Sequence, residues 1–555
     1  MRSEDGRYAI SCTGSIYNHT LLREELAAKG CIFRTASDAE SVLYAFAAWN
    51  EGCLARLRGM FAFAIADFQE EYVFLARDQF GVKPLQYRVE PGCFAFSSEL
   101  PPLARMEGFA SPEIDPASMA QFFRYQYIAS PNSIYKNIRK LPPAHAMRVN
   151  FDGQASALRR YHSFSFQSAR NSFSDAMRDT EILTRNAVTD AALSNAPIGV
   201  FLSGGIDSTL VATYLAKFVS RDIPAFTIAF KEHAYSELEH AQEAASRLGL
   251  KLDAAYVEAP ALDKLPRILS CYGEPYGDSS VLPTWHVAEL ARKHVAVALS
   301  GDGGDELFGG YHSYAAWLPA SRGSHVRNAL RAALRLQPRT VLRHLRLLNQ
   351  EAPRTVEFWH NFIQYYAPDA IKGLLLPPYR NYAHELAAAF AAMSGREKEC
   401  GALDLVQYLD LNTYMPECCL PKVGVTSIQH NLEVRPALLD TRILELATSL
   451  PESFRYRPDE GGKRIFKRLL LQEGFRREFV HRRKQGFGIP VDQWFYKGGH
   501  ARALLQDLLQ THRQDMAAIL RLDVVEHMLR QHSPSAPIGN KLWLVLACAC
   551  WMHTR

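Results

Sequence analysis

The sequence predicts a chain in two parts. An N-terminal α+β sandwich comes first, then an α/β unit on a doubly wound parallel sheet with a helical C-terminal part. Three observations carry this. At 555 residues the chain is too long for one hydrophobic core. Its first 160 residues hold short alternating or wholly apolar runs, "RYAISC", "MFAFAIADF", "YVFLARD" and "CFAFSSE", which read as strands. From Pro197 onward, short apolar strands alternate with segments of helical spacing.

In order along the chain, a helix is expected over 21–29, stopped by Gly30. "LPPAHAMRVNFDG" places turn residues around another strand, and "RRYHSF" begins the connection onward. "PIGVFL" is a short buried strand. After it, Leu210, Val211, Tyr214, Leu215 and Phe218 recur at helical spacing. "PAFTIAF", a helix ending "RLGL", "KLDAAYV" and "HVAVALS" repeat the alternation, which implies a parallel sheet covered on both faces. Residues 320–555 read as mostly helical, and "LWLVLACACWM" near the end is too short to span a bilayer and reads as a buried helix. The expected domains are 1–160 and 175–555.

Composition fits a soluble globular protein, with 48% hydrophobic and 22% charged residues and a net charge of +5. That charge gives no reason to expect nucleic acid. The arginine-rich run 322–346 reads as a pair of surface helices with solvated basic faces. Ten cysteines in this length make no disulfide framework. Cys418-Cys419 and Cys548-x-Cys550 lack paired CxxC spacing and read as buried thiols. With no signal peptide in view, a reducing cytoplasmic location is expected. The expected partners are small molecules, without nucleic acid or membrane, and a homodimer is the candidate assembly.

Two loops carry the chemistry. In "VFLSGGIDST" a buried strand ends in Ser203-Gly204-Gly205, and a helix starts near Asp207-Ser208. Backbone N–H groups at such a turn, with the helix dipole behind them, suit a phosphate. Adjacent glycines allow close approach. There is no Gly-Lys-Ser/Thr ending, so this is not a Walker loop. Asp207 beside a phosphate cradle suggests a Mg²⁺ ligand. "LSGDGGDELFGGY" also follows an apolar strand and sets Asp302, Asp305 and Glu306 among five glycines. Both loops fall at strand C-terminal ends, where open parallel sheets bind ligands, so a shared ATP–Mg²⁺ site is expected.

These two loops resemble the asparagine synthetase family, whose synthetase domain belongs to the PP-loop ATP pyrophosphatases. "FTIAF", "EPYGDSSVLPT", "NLEVRPALLD", "GKRIFKRLL" and "RRKQGFGIP" extend the resemblance. "IYNHTLLREEL", "LRGMFAFAIAD", "FLARDQFGVKPLQY" and "IRKLPPAH" resemble its class II glutamine amidotransferase domain, so the resemblance implies a truncated Ntn-type sandwich followed by an adenine nucleotide hydrolase-like synthetase domain. The resemblance implies adenylation of a carboxylate, aspartate being the family's substrate, with release of pyrophosphate and attack by ammonia. It implies that Leu202, Ile228, Ser300 and Gly301 contact adenosine, and that Ser203, Gly204, Gly205 and Ser208 cradle phosphate. Asp207 and Asp305 would hold Mg²⁺, Asp302 and Lys463 would act at the reacting centre, and Lys484 would grip pyrophosphate.

The chain also departs from the family pattern. It opens Met1-Arg2-Ser3, well inside that pattern, so an amidotransferase domain without its N-terminal portion and nucleophilic cysteine is expected. In "ISCTGSIYN", Thr13 stands where the family has an oxyanion-hole Asn, and Ser15 where it has a Glu for glutamine's ammonium. Asp38 keeps the second anionic contact. Cys12 reads as a small core residue. In "KVGVTS", Gly424 and Val425 replace an acid and a base expected near the acyl-acceptor side, and "EVRPALLD" departs from the usual ending. The expectation is an amide ligase with impaired glutaminase. A relative forming a different amide (a peptide, lactam or lasso-peptide cyclase, or a sugar amidotransferase) is the alternative.

Overall fold

The computed structural model describes residues 1–232, 235–320, 355–385, 387–482 and 488–554. The arginine-rich run 322–346 and Lys484 lie outside the described residues. In the N-terminal part the strands are β1 (Tyr8–Ile16), β2 (Gly59–Asp67), β3 (Tyr72–Arg77), β4 (Gln86–Glu90), β5 (Cys93–Ser97), β6 (Ile138–Lys140), β7 (His145–Asn150) and β8 (Arg159–Arg160). One antiparallel sheet runs β1-β2-β3-β7-β8, and a smaller one runs β5-β4-β6.

The period-two pattern of "GMFAFAIAD" explains the layering. Phe61, Phe63 and Ile65 pack with Leu22, Leu26, Val42 and Phe46 of helices His19–Ala27 and Asp38–Trp49. Ala62 and Ala64 face the other way, onto a core that includes Leu85 and that Phe94 and Phe96 of the second sheet pack against. Bulky residues fill one side, and alanines admit a close second sheet on the other. The first helix ends at Ala27, before the expected stop. Gly30 follows with φ +92°, a conformation open to glycine.

The second part holds β9 (Ile198–Phe201), β10 (Ala225–Ala229), β11 (Leu252–Tyr256), β12 (Val297–Ser300) and β13 (Glu433–Pro436). All are parallel, in the order β11-β10-β9-β12-β13. From β9 the chain winds outward to β10 and β11, then returns to place β12 on β9's other side. The direction of winding reverses between β9 and β12, which opens a crevice there. The C-terminal helix Gly539–His553 is buried from Leu542 to Trp551, as its apolar run predicts. Among the described residues no helix is long and apolar enough to cross a membrane.

Candidate active site

Both glycine-rich loops leave the sheet at the crevice between β9 and β12. They line one cavity of about 780 Å³. Ser203, Gly205, Asp207 and Ser208 reach it from the first loop, and Ser300, Gly301, Asp302 and Asp305 from the second. Leu202 and Ile228 line it from the ends of β9 and β10, and Lys463 closes it from the start of helix Arg464–Gln472. Gly204 stands just behind the wall. Its φ is +72°, and a Cβ there would press on the backbone of His240 and Ala241, so only glycine fits the turn. Its carbonyl accepts a hydrogen bond from Arg482 at 2.8 Å. Lys484 lies outside the described residues.

The first loop is organised around its serines. The Ser203 N–H donates to Ser208 Oγ at 3.3 Å, and the Gly205 N–H donates to Ser203 Oγ at 3.2 Å. Gly205 precedes helix Ile206–Phe218, and no side chain caps that helix start. Its first-turn N–H groups therefore border the cavity as an anion cradle.

Lys463 sits between the loops. Its ammonium pairs with Asp207 Oδ2 and, at 2.6 Å, with Asp305 Oδ1. Burial would lower its pKa, but the two carboxylates outweigh burial and raise it. Lys463 adopts φ +57°, and its N–H donates to Phe308 O at 2.8 Å, which fixes the chain's entry into the helix. Glycines make the convergence sterically feasible. A Cβ on Gly301 would lie 2.7 Å from Ser208 N, and one on Gly304 or Gly310 would overlap Asp207 or Lys463 respectively. The glycines of "SGDGGDELFGGY" thus admit the first loop and Lys463 as neighbours.

At the other end lie groups that the loop motifs did not single out. Asp278 and Ser280 precede helix Val281–Arg292, and Lys422 projects from helix Leu420–Ile428. The signal available for the first two was "EPYGDSSVLPT", an Asp–Ser pair at a helix start. Glu306 is buried and accepts from Tyr311 Oη at 2.6 Å. Burial, then the neighbouring Asp305 and Asp302 charges, push its pKa up to about 7. Lys467 and Arg482 add cationic character to the cavity, and burial lowers the pKa of both. Ser300 Oγ donates to Asp302 Oδ2 at 2.6 Å and orients that acid.

Gly424 and Val425 fall elsewhere than expected. Helix Leu420–Ile428 turns Lys422 and Val423 toward the cavity of about 780 Å³. Gly424 and Val425 face a smaller cavity against Gly81–Pro84 of the N-terminal part. The helical rotation of about 100° per residue separates these neighbours onto two faces.

In the N-terminal part, Asp38 Oδ2 accepts from the Ile16 N–H at 2.8 Å. Thr13 is half-buried on β1, opposite Ala62. Ser15 donates to Glu433 Oε1 at 2.8 Å and accepts from Arg435 Nη2 at 3.3 Å, both from β13. Cys12 packs against the core beneath β1, and burial pushes its thiol up to about 12. That is the environment of an inert thiol.

Comparison with known proteins gives this geometry its context. An asparagine synthase family model matches residues 179–553, and a glutamine amidotransferase domain model matches residues 1–162. Asparagine synthetase [glutamine-hydrolyzing] 1 of Bacillus subtilis is 29% identical over 99% of this chain and 86% of its own length. A putative asparagine synthetase [glutamine-hydrolyzing] of Mycobacterium tuberculosis is 30% identical over 98% of this chain and 84% of its own length. With the matched model covering most of the chain and with both loops meeting at the sheet's switch point, this chain belongs to the asparagine synthase family and is an ATP-dependent, amide-forming ligase.

Proposed function

We propose that this chain adenylates the side-chain carboxylate of aspartate and transfers the acyl group to ammonia, with little or no use of glutamine. The observation that carries the reading is the convergence of Asp207, Asp305 and Lys463 between two glycine loops at one cavity. The first loop and the start of helix Ile206–Phe218 would receive the phosphates. Leu202 and Ile228 would flank the adenosine, with the Ser300–Gly301 backbone beside it. The two hard carboxylates Asp207 and Asp305, drawn together around one cation, suit Mg²⁺. Bound there, Mg²⁺ would neutralise charge on the departing pyrophosphate. Lys463 supplies positive charge at the same end, and Asp302, held by Ser300, faces the reacting carboxylate.

Residues 1–160 and 175–555 would then be an amidotransferase-like part and a synthetase part. Weak glutamine use is supported by Thr13, a poorer oxyanion donor than an amide. It is also supported by Ser15, which brings no charge to an ammonium and is engaged with Glu433 and Arg435. The test is pyrophosphate release from ATP with aspartate plus ammonium, set against aspartate plus glutamine. Release with ammonium and far slower release with glutamine is the expected result. Equal rates would refute the impaired-glutaminase reading, and release only with another carboxylate would refute aspartate. In the same assay Cys12→Ser should leave ammonium-dependent synthesis within about twofold of the parent, because a packed thiol exchanged for a hydroxyl perturbs only its surroundings. A collapse of activity in that variant, with its fold intact, would make Cys12 functional.

A further inference from the structure

We propose that Lys422 and Asp278 form a two-point grip that selects an acyl donor carrying both a second carboxylate and an ammonium beside the carboxylate that reacts. The inference rests on the ligase reading above and assigns the recognition groups of that cavity.

Lys422 is nearly buried, with 15% of its side chain exposed, and it lines the cavity. Its ammonium makes no hydrogen bond to any described residue. The acid within 4 Å is Asp278, whose Oδ2 lies 3.6 Å away, beyond hydrogen-bonding distance. A buried ammonium in that state has strong residual demand for an acceptor. Asp278 is half committed. Its Oδ1 accepts from the Ser280 N–H at 2.9 Å and from Ser280 Oγ at 2.7 Å, which fixes the carboxylate's orientation. Among the described residues, its Oδ2 has Lys422 at 3.6 Å and, at 3.9 Å, the weak donor Cys418 Sγ.

The pair therefore presents one cation with open donor sites and one carboxylate oxygen with open acceptor sites. A zwitterionic head satisfies both at once, its carboxylate on Lys422 and its ammonium on Asp278. The walls beside them include Tyr311, Tyr414 and Cys419. The placement also fits the reaction. Asp302, at the reacting end, is close enough for its charge to act on Lys422, so a short acid gripped at its head would extend its free carboxylate toward Asp302.

The test compares three acids as substrates for carboxylate-dependent ATP–pyrophosphate exchange. β-Alanine is aspartate without the second carboxylate, and succinate is aspartate without the ammonium. The parent should favour aspartate over each by about 100-fold or more in kcat/KM, as expected for lost charge-assisted hydrogen bonds in a buried site. Lys422→Gln should lose most of its exchange with aspartate while keeping that with β-alanine, collapsing their ratio. Asp278→Asn should collapse the ratio of aspartate to succinate instead. ATP binding by calorimetry, without any acid, should be unchanged in both and reports an intact fold. Equal losses on all three acids, or unchanged ratios, would overturn the assignment and leave the ligase reading standing. A parent that binds ATP but exchanges with none of the acids would refute the aspartate reading, and this assignment with it.

Discussion

Exchanging Asp207 for alanine should lower pyrophosphate release at least about a thousandfold, the scale on which losing a metal-assisted leaving-group contact acts. Asp207 stands in the first turn of helix Ile206–Phe218, where the backbone holds it rigidly against the second loop. Its carboxylate is one of two that meet Lys463. Without it, Lys463 keeps Asp305 alone of the two acids, and on the proposed reading a divalent ion would lose one of its two anchoring carboxylates. A readout separate from turnover is thermal stability. Mg²⁺ with ATP should raise the melting temperature of the parent and should raise that of the Asp207→Ala protein far less. An Asp207→Ala protein that still released pyrophosphate at the parent rate would sink the site assignment.

Lys463→Met should act twice. As the proposed cation at the leaving group, its loss should slow pyrophosphate release by about 100- to 1,000-fold, the range for removing one electrostatic stabiliser. As the ammonium between two largely buried carboxylates, its loss should destabilise the metal-free fold by about 3–5 kcal/mol, because Asp207 and Asp305 are left facing each other. The two effects should separate on adding Mg²⁺, which on the proposed reading would take the lysine's place between the acids. The variant should regain melting temperature more than the parent does, yet remain slow. A variant as stable as the parent without Mg²⁺ would show that the lysine does not hold the two acids together.

Much of this was legible along the chain because it is local. The alternation in "GMFAFAIAD" marks β2 and its two unlike faces. Gly204 and Gly205 mark a turn into a helix, and "SGDGGDELFGGY" marks a loop that must admit another backbone. The Cys12 reading was local too, resting on its place in a strand before a turn, and the structure packs it against the core. Gly424 and Val425 misled because sequence neighbours on a helix need not share a face. One turn of Leu420–Ile428 divides its residues between two cavities.

The sequence by itself determined the antiparallel strands of the N-terminal region, the parallel sheet, and the pair of loops on which the resemblance rests. Each of these follows from periodicity and turn chemistry within a few residues. Only the tertiary structure decided which side chains meet. Lys463 joins Asp207 from 256 positions away, and Ser15 meets Glu433 across 418. Lys422 is brought beside Asp278 from a different helix, and Arg482 is set against the Gly204 carbonyl. Such meetings depend on strand order and on the close approach that glycines permit. Both are properties of how the elements pack, and no local pattern encodes them.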